Sequence, residues 1–213
     1  MGLSATIVSS WIIMAVLVGT AIALTRHMRE TPGSAQTVAE AVVMTMQRAI
    51  DDVLPRERAI VFPFVATLWI FIVAANLSGI IPGVSSPTAD LSATAALAVL
   101  TFFFVHWTGV RSVGLRRYLE HYVSPNPIML PFEIISEISR TITLAVRLFG
   151  NMMSLELAAL IVVGIAGFLV PIPLLLLHIV EALIQAYIFG MLALVYVAGG
   201  IEIQRHHFER EAS

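Results

Sequence analysis

Two adjoining apolar tracts decide the fold: residues 128–170, IMLPFEIISEISRTITLAVRLFGNMMSLELAALIVVGIAGFLV, and residues 171–203, PIPLLLLHIVEALIQAYIFGMLALVYVAGGIEI. A helix rises about 1.5 Å per residue, so helices of these lengths would reach roughly 64 and 50 Å. The hydrocarbon core of a bilayer is only about 30 Å thick. Either the two tracts cross a membrane as a steeply tilted hairpin of long helices, or one of them folds back on itself.

Three shorter apolar tracts precede them, at about residues 5–24, 59–81 and 91–110. Of the 213 residues 58% are apolar, the mean hydropathy is +0.91, and charged residues make up 12%, about half their share in a soluble domain. A soluble chain of this size has too little interior to bury so much apolar surface. We therefore expect an all-α polytopic membrane protein, a single membrane domain over residues 1–213 with five crossings.

The arginines indicate how these crossings are oriented. Between the first two tracts lie Arg26, Arg29, Arg48, Arg56 and Arg58; between the third and fourth lie Arg111, Arg116 and Arg117; and the tail carries Arg205 and Arg210. The opposite connections, which are residues 1–4, residues 82–90 and the turn at Val170–Pro171, carry none. By the positive-inside rule the N-terminus lies outside and the C-terminus inside, and five crossings with an oblique final pair satisfy this.

A further helix is predicted between the first two crossings, over about residues 37–52. Val38, Val42, Val43, Met46 and Ile50 recur there at helical spacing, with polar residues between them. This pattern is typical of an amphipathic helix that lies on the inner surface of the membrane. A helix that docks its apolar face on the other helices would show the same pattern, so both interpretations stay open.

Charge and composition exclude several classes of function. The net charge is −2, all 12 basic residues are Arg, and they form no closely spaced run, so we expect no nucleic-acid binding. The absence of Cys excludes thiolate metal sites and Cys nucleophiles. The sequence has no nucleotide-binding loop of the Walker type, so any ATP chemistry would reside on other chains. We predict no metal site, no cofactor and no catalytic residue.

The fourth tract carries charges where charges are costly. They are Glu133, Glu137, Arg140, Arg147 and Glu156. Each charge at the centre of a span costs about 2.5–3.5 kcal/mol, so this set must face protein, water or a moving partner. The first three lie near the inner end of the tract, where Glu137 and Arg140 could form a plain ion pair or could be functional.

Arg147 lies 20 residues past Pro127, deep in apolar surroundings. Glu156 follows nine residues later, which places it about 180° around a helix and some 13 Å along it, so it is not a same-face counter-ion. A purely structural Arg147 would need a carboxylate from another segment, and Glu181 is the candidate. We favour a functional role, because ionisable residues inside membranes commonly mark ion pathways.

A polar stripe on the last tract repeats this theme. His178, Glu181 and Gln185 fall within about 60° of one another on an otherwise apolar helix. A single His in a core is usually just hydrogen-bonded, but three polar side chains on one face are harder to explain structurally. Because the neighbouring tract carries Arg147 and Glu156, we predict two aqueous pockets that are separated by Arg147.

Short motifs along the chain point to one family. They are RLFGNM at residues 147–152 followed by Glu156, NLSGIIPG at residues 76–83, PTAD at residues 87–90, and QAYIF at residues 185–189 with Tyr196. Together they resemble subunit a of the F-type ATP synthase membrane sector, in order from about residue 59 to residue 203. The first motif is highly specific, whereas the others alone would be weak.

The resemblance implies a non-catalytic stator subunit of ATP synthase in the cell inner membrane. Its implied partners are the bilayer, subunit b of the peripheral stalk and a rotating ring of c subunits, the c-ring. Residue by residue, Arg147 is similar to the essential stator arginine that faces the c-ring, and Gln185 to its neighbour on the last helix. These assignments follow from the family and not from spacing.

The resemblance also assigns two aqueous half-channels. Glu156 and His178 match the polar pair of one half-channel, Asn151 matches a polar channel residue, and Glu133 matches an acidic residue of the inner half-channel. Glu181 has no counterpart in the family pattern and remains a candidate from its position alone.

Alternatives to proton transport by such a subunit stay open. A His and acids in the predicted pocket favour protons over sodium as the coupling ion. The short region before the first crossing, however, is similar to variants of the family proposed to pump sodium. A secondary transporter would show paired internal repeats, and a haem-bearing redox subunit would need paired histidines within the spans; the sequence shows neither pattern.

Overall fold

The computed structural model describes residues 2–26, 33–81, 84, 86–115, 118, 130–166 and 172–211. In these residues all regular structure is helical. The helices are α1 (Gly2–Arg26), α2 (Ser34–Asp51), α3 (Arg58–Ser78), a 3₁₀ turn (Pro87–Ala89), α4 (Leu91–Val113), α5 (Leu130–Ala166) and α6 (Ile172–Glu211). Five of them, all except α2 and the 3₁₀ turn, are long and apolar enough to cross a membrane. The prediction of an all-α polytopic membrane protein is confirmed.

The two long tracts form two continuous helices. α5 runs for 37 residues and α6 for 40, so they extend roughly 55 and 60 Å. The alternative in which a tract folds back on itself is therefore wrong for the residues that the structure describes. α6 also continues past residue 203, where apolar patterning ends, because its polar tail keeps helical hydrogen bonding. The predicted turn at Val170–Pro171 lies outside the described residues.

The core forms where α3 packs against α6. Small buried residues of α6, including Ala182, Ala186 and Ala193, allow the two backbones to approach closely, as is usual between membrane helices. Gly190 leaves room for the side chain of Trp69, since a Cβ there would overlap its indole. Trp69 in turn donates a hydrogen bond from Nε1 to a carbonyl of α6, that of Tyr187, at 3.3 Å.

α2 docks on this core through its C-terminal half. Ile50 is fully buried, and Met46 and Ala49 pack against the same cluster as Trp69. Towards the N-terminal end, Val38 is 64% exposed. The docking interpretation therefore holds for the C-terminal half of the amphipathic helix, and its position on a membrane surface stays a prediction.

α1 is attached mainly at its N-terminal end, beside the start of α4. Thr6 donates a hydrogen bond from Oγ1 to Asp90 Oδ2 at 2.7 Å, while Ser92 donates from its backbone N–H and its hydroxyl to Asp90 Oδ1 at 2.9 and 2.8 Å. The Thr6 hydroxyl, followed by Ser92, lowers the pKa of Asp90. Asp90 thus caps α4 and ties α1 to it. Most of the apolar surface of α1 is open, with Trp11 69% exposed.

Candidate functional site

Packing on one side of α5 turns Arg147 away from the bundle. Leu144 and Leu148 are 2% and 0% exposed and lie in the cluster that α5 forms with α3, α4 and α6. Arg147 and its neighbour Val146 are exposed. The guanidinium thus lies on an apolar outer face of α5.

Arg147 has no internal counter-ion in the described part of the chain. The structure shows no ion pair or hydrogen bond from its guanidinium to any described residue, and none to Glu181, the carboxylate that a structural role would require. Glu181 itself is half-buried on α6. The sequence alternative of a plain internal pair between these two residues therefore finds no support in the geometry.

Asn151 and Gln185 tie the two long helices together one turn beyond Arg147. Asn151 donates a hydrogen bond from Nδ2 to Gln185 Oε1 at 2.6 Å. Gln185 is only 2% exposed, and its Nε2 group is buried without a partner among the described residues. A buried donor without an acceptor is costly, so this amide group is suited to a water or to a passing acceptor.

Glu156, in the C-terminal part of α5, and His178, near the start of α6, lie in the same region of the bundle. Glu156 is half-buried, and the His178 ring is close enough to interact electrostatically with its carboxyl group. His178 is 5% exposed. Its Nε2 atom lies 3.1 Å from the backbone carbonyl oxygen of Asn76 at the end of α3. The two residues predicted for one half-channel thus lie within electrostatic range of each other without forming an ion pair among the described contacts, and His178 is held by a third helix.

A buried network around Asn76 is the part of this site that sequence reasoning missed. Asn76 Oδ1 accepts a hydrogen bond from Thr88 Oγ1 at 2.6 Å, and Asn76 Nδ2 donates to the carbonyl of Ala182 at 3.2 Å. Ser86 Oγ donates to the carbonyl of Ala75 at 2.7 Å and lies 2.7 Å from Thr88 Oγ1. The available signal was an Asn inside an apolar span, because a buried amide needs polar partners.

The N-terminal end of α5 carries the other predicted charges. Arg140 pairs with Glu137 at 3.7 Å, and its guanidinium lies 5.6 Å from the ring centre of Tyr196 on α6. The ion pair between Glu137 and Arg140 is confirmed. Glu133 is half-buried and pairs with no described residue. Because it lies 14 residues before Arg147, it is about 21 Å away along the helix.

The ionisable groups of this region fall into two sets along α5. Arg147, a cation that is unpaired among the described residues, lies between them. One set, towards the C-terminal end of α5, contains Glu156 and His178, and the other, at its N-terminal end, contains Glu133. Arg147 stands on the α5 surface between these two ends, about 13 Å along the helix from Glu156. Such a layout can exchange protons with water at both ends of α5 while a fixed positive charge blocks the direct route.

Comparisons with known proteins point to one family. Residues 7–198 match the family described as ATP synthase A chain. The chain is 62% identical over 197 residues to ATP synthase subunit a 2 of Pelobacter propionicus, covering 92% of this chain and 86% of that one. It is 65% identical over 171 residues to ATP synthase subunit a of Legionella pneumophila, covering 80% and 74%. A third relative, ATP synthase subunit a 1 of Hahella chejuensis, is 56% identical over 197 residues, covering 92% and 84%.

Proposed function

This chain belongs to the ATP synthase A chain family, and we propose that it is the ion-translocating stator subunit of a rotary F-type ATP synthase. In this role it catalyses no reaction by itself. It couples the passage of protons across the membrane to the rotation of a c-ring, and the c-ring drives ATP synthesis or is driven by hydrolysis on other chains.

One observation carries the proposal: Arg147 is exposed on an apolar face and pairs with no described residue. A guanidinium stays charged in a low-dielectric site, so it cannot escape the cost of burial by losing a proton. A cation that a membrane protein keeps on its outer face without a counter-ion requires one from a neighbouring chain. A carboxylate on each subunit of the c-ring is the partner that fits.

The electrostatics of this pair produce coupling. Near Arg147 the ionised form of a ring carboxylate is favoured, so the carboxyl group releases its proton into one half-channel. To leave the cation and enter lipid, the carboxylate must first be neutralised from the other half-channel. Each charge that crosses the full field gains about 2.3 kcal/mol per 100 mV, so synthesis of one ATP requires several ions.

We assign the half-channels to the two polar sets along α5. Glu156 and His178 lie towards the outer side, together with Asn151 and Gln185 beside Arg147, while Glu133 serves the inner side. The orientation has the N-terminus outside and the C-terminus in the cytoplasm, in the cell inner membrane. The position of Arg111 at the inner end of α4 supports it by the positive-inside rule.

Two further partners belong to this proposal. The exposed apolar surfaces of α1 and α5 require lipid or other membrane helices, and subunit b of the peripheral stalk is the expected neighbour besides the c-ring. Glu181 is half-buried and unpaired among the described residues. We propose it as an additional acid of the outer half-channel, beside Glu156 and His178.

We propose protons as the coupling ion, because an imidazole next to a carboxylate suits proton exchange and is a poor ligand for sodium. Purified complex in liposomes should acidify the lumen on ATP addition in sodium-free buffer, and added sodium should not stimulate hydrolysis. Turnover that depends on millimolar sodium, with sodium uptake accelerated by a protonophore, would assign the sodium-translocating alternative instead.

The proposal is tested by Arg147→Ala in the intact complex. ATP-driven acidification of liposomes should fall to background while the subunits still co-purify, because the change removes a charge and leaves the packed side of α5 intact. Arg147→Lys should also fail, since a compact ammonium group lacks the planar fork and permanent charge of Arg. Arg58→Ala is the matched control: this exposed arginine already pairs with Asp51 at 2.9 Å, and pumping should stay near normal. Near-normal pumping by Arg147→Ala would defeat the proposal.

A further inference from the structure

We propose that the end of α3 fixes which nitrogen of His178 carries the proton. In this proposal Nε2 is always the protonated nitrogen, and Nδ1 alone takes up and releases the transported proton. The inference rests on the proposed function only where it gives that proton a role in transport. The assignment of the ring nitrogens follows from the contacts around His178.

The first argument is the acceptor at Nε2. A backbone carbonyl oxygen can only accept a hydrogen bond, so the 3.1 Å contact from Nε2 to the Asn76 oxygen requires a proton on Nε2. The tautomer of a histidine is set by the hydrogen bond that its second nitrogen makes. No hydrogen bond to Nδ1 is recorded among the described residues, so this nitrogen keeps its lone pair for exchange.

The second argument is that α3 ends in a way that leaves this carbonyl available. The backbone N–H of Gly79 bonds to Asn76 O at 3.3 Å, and the N–H of Ile80 bonds to Leu77 O at 3.1 Å. These short-range bonds tighten the last turn, so Ile80 does not occupy the Asn76 oxygen as it would in a continuing α-helix. A carbonyl has two lone pairs, and the second one is left for His178.

The third argument is that Asn76 itself is clamped. Its side chain accepts from Thr88 and donates to the carbonyl of Ala182, which lies one turn beyond His178 on α6. Asn76 therefore holds α6 at two points one turn apart. Gly79 lies beside the ring: a Cβ there would stand 3.5 Å from Cε1 of His178, an ordinary contact, and 3.1 Å from Cβ of Ser86, a tight one.

The consequence concerns the direction of proton exchange. When Nδ1 binds a proton the ring becomes an imidazolium, and Nε2–H stays bonded to the Asn76 carbonyl. The proton cannot leave through Nε2, because an amide oxygen is too weak a base to take it. It must leave from the nitrogen at which it arrived. Water, Glu156 and a protonated donor must therefore all reach the ring from the Nδ1 edge.

The charged groups that face this ring come from few elements. Glu156 on α5 interacts with it electrostatically, and Glu181 lies three residues further along α6. The end of α3 and the 3₁₀ turn contribute none among the described residues, and the nearby Asp90 is occupied by Thr6 and Ser92. Asn76 and Thr88 thus act as positioning residues for His178.

Nitrogen NMR of the assembled complex with ¹⁵N-labelled histidine tests the assignment. Signals of His178 are identified as those lost in His178→Gln. In the neutral ring we expect a protonated Nε2 and a bare Nδ1, and on acidification only Nδ1 should change. His106 is an internal control of opposite sense, because its Nδ1 lies 2.8 Å from the carbonyl of Phe102 and should carry the proton. A neutral His178 protonated on Nδ1, or an even mixture of tautomers, would overturn the assignment.

Thr88→Val tests the positioning role. Loss of the hydroxyl that holds the Asn76 amide should lower the ratio of Nε2–H to Nδ1–H tautomer about fivefold, as expected for one hydrogen bond, and Thr88→Ser should restore it. Thr101→Val is the control, because among the described residues this buried hydroxyl bonds to Leu97 O of its own helix and to no other group. An unchanged ratio in Thr88→Val would remove Thr88 and the side-chain amide of Asn76 from the positioning role, whereas the contact of Nε2 with the Asn76 backbone oxygen would still have to be judged by the tautomer measurement itself. Normal pumping by Arg147→Ala would instead defeat the proposed function and leave the tautomer result standing.

Discussion

Polar side chains are buried and hydrogen-bonded at the end of α3, but exposed and unpaired among the described residues on the face of α5 that points away from the bundle. Around Asn76 the polar side chains are buried and bonded to one another, with Asn76 and Thr88 both 0% exposed. On α5, Arg147 is exposed and pairs with no described residue. Asn76 and Arg147 themselves both lie in helices that are apolar enough to cross a membrane. The contrast indicates that hydrogen-bonded polar groups hold this bundle together. The charge of Arg147, which is unpaired among the described residues, is left available for a partner on another chain.

The difference predicts which changes cost folding and which cost transport. Removing one partner from a buried network leaves unsatisfied groups and destabilises the fold by about 1–3 kcal/mol. Removing an outward charge leaves the fold intact, because surface changes usually stay within about 0.5 kcal/mol.

The largest effect on the packed side is expected from Gly190→Ala. A Cβ at this position would overlap the Trp69 indole, so either the indole must move and give up its hydrogen bond to α6, or helices α3 and α6 must separate. We expect a loss of stability at or above the upper end of about 1–3 kcal/mol, measured as the thermal midpoint of the detergent-solubilised chain. Gly199→Ala in the same helix has open space for its Cβ and should be neutral or stabilising. Equal tolerance of both changes would contradict the packing.

Asn76→Leu should destabilise the fold more than Arg147→Ala does. The change removes the partner of the Thr88 hydroxyl and of the Ala182 carbonyl, so the free energy of unfolding should fall by about 1–3 kcal/mol. Arg147→Ala, measured in the same denaturant titration, should leave it within about 0.5 kcal/mol. A larger loss in Arg147→Ala than in Asn76→Leu would mean that Arg147 has an internal partner, and the contrast between the regions would fail.

Thiol labelling should rank the polar positions by their access to water. The chain has no Cys, so single substitutions are read without background. A water-soluble maleimide should react fastest at Glu156→Cys, more slowly at Asn151→Cys, and slowest at His178→Cys, which lies behind the Asn76 network. Leu160→Cys, 65% exposed but predicted to face lipid, should stay unlabelled. Equal inertness at the three polar positions would show a dry core where we propose a half-channel.

The smallest effect is expected at the junction of α1 and α4. Thr6→Val should cost about 0.5 kcal/mol at neutral pH, since it removes a hydrogen bond to ionised Asp90. The folded-state pKa of Asp90 is lowered by this hydroxyl, so the contribution is present above about pH 4 and is lost as the pH falls through the lowered pKa. Thermal unfolding at several pH values should show the gap closing in acid. Ser10→Ala is the control, because the described bond of its hydroxyl stays within α1, to the carbonyl of Thr6. A gap that widens in acid would refute the assignment.

Much of the fold could be predicted because the apolar tracts that mark membrane-crossing helices are continuous stretches of the sequence. The apolar tracts at residues 59–81 and 91–110 correspond to α3 (Arg58–Ser78) and α4 (Leu91–Val113), with differences of three residues at most. The end of α6 was less predictable, since a polar tail can continue a helix without any apolar signal.

The charged residues of the candidate site could be predicted from the sequence, but the residues that contact them could not. Arg147 could be singled out because the sequence alone shows a permanently charged side chain deep in an apolar tract, where a charge is costly. The bond from His178 to Asn76 joins residues 102 positions apart, and the contact between Gly190 and Trp69 depends on how two helices cross. Such contacts are set by tertiary packing, which no local pattern in the sequence encodes.

The central claim is that the partner of Arg147 is a carboxylate on another chain, and zero-length cross-linking tests it most directly. The chain has no Lys, so Arg147→Lys introduces a single side-chain amine. A carbodiimide added to the assembled complex should join this amine to the c-ring subunit, as an amide bond that mass spectrometry locates at the ring carboxyl group. Leu160→Lys, on the same helix, should give no such product. Cross-linking of position 147 to Glu181 of its own chain, or no product with the ring, would contradict the account.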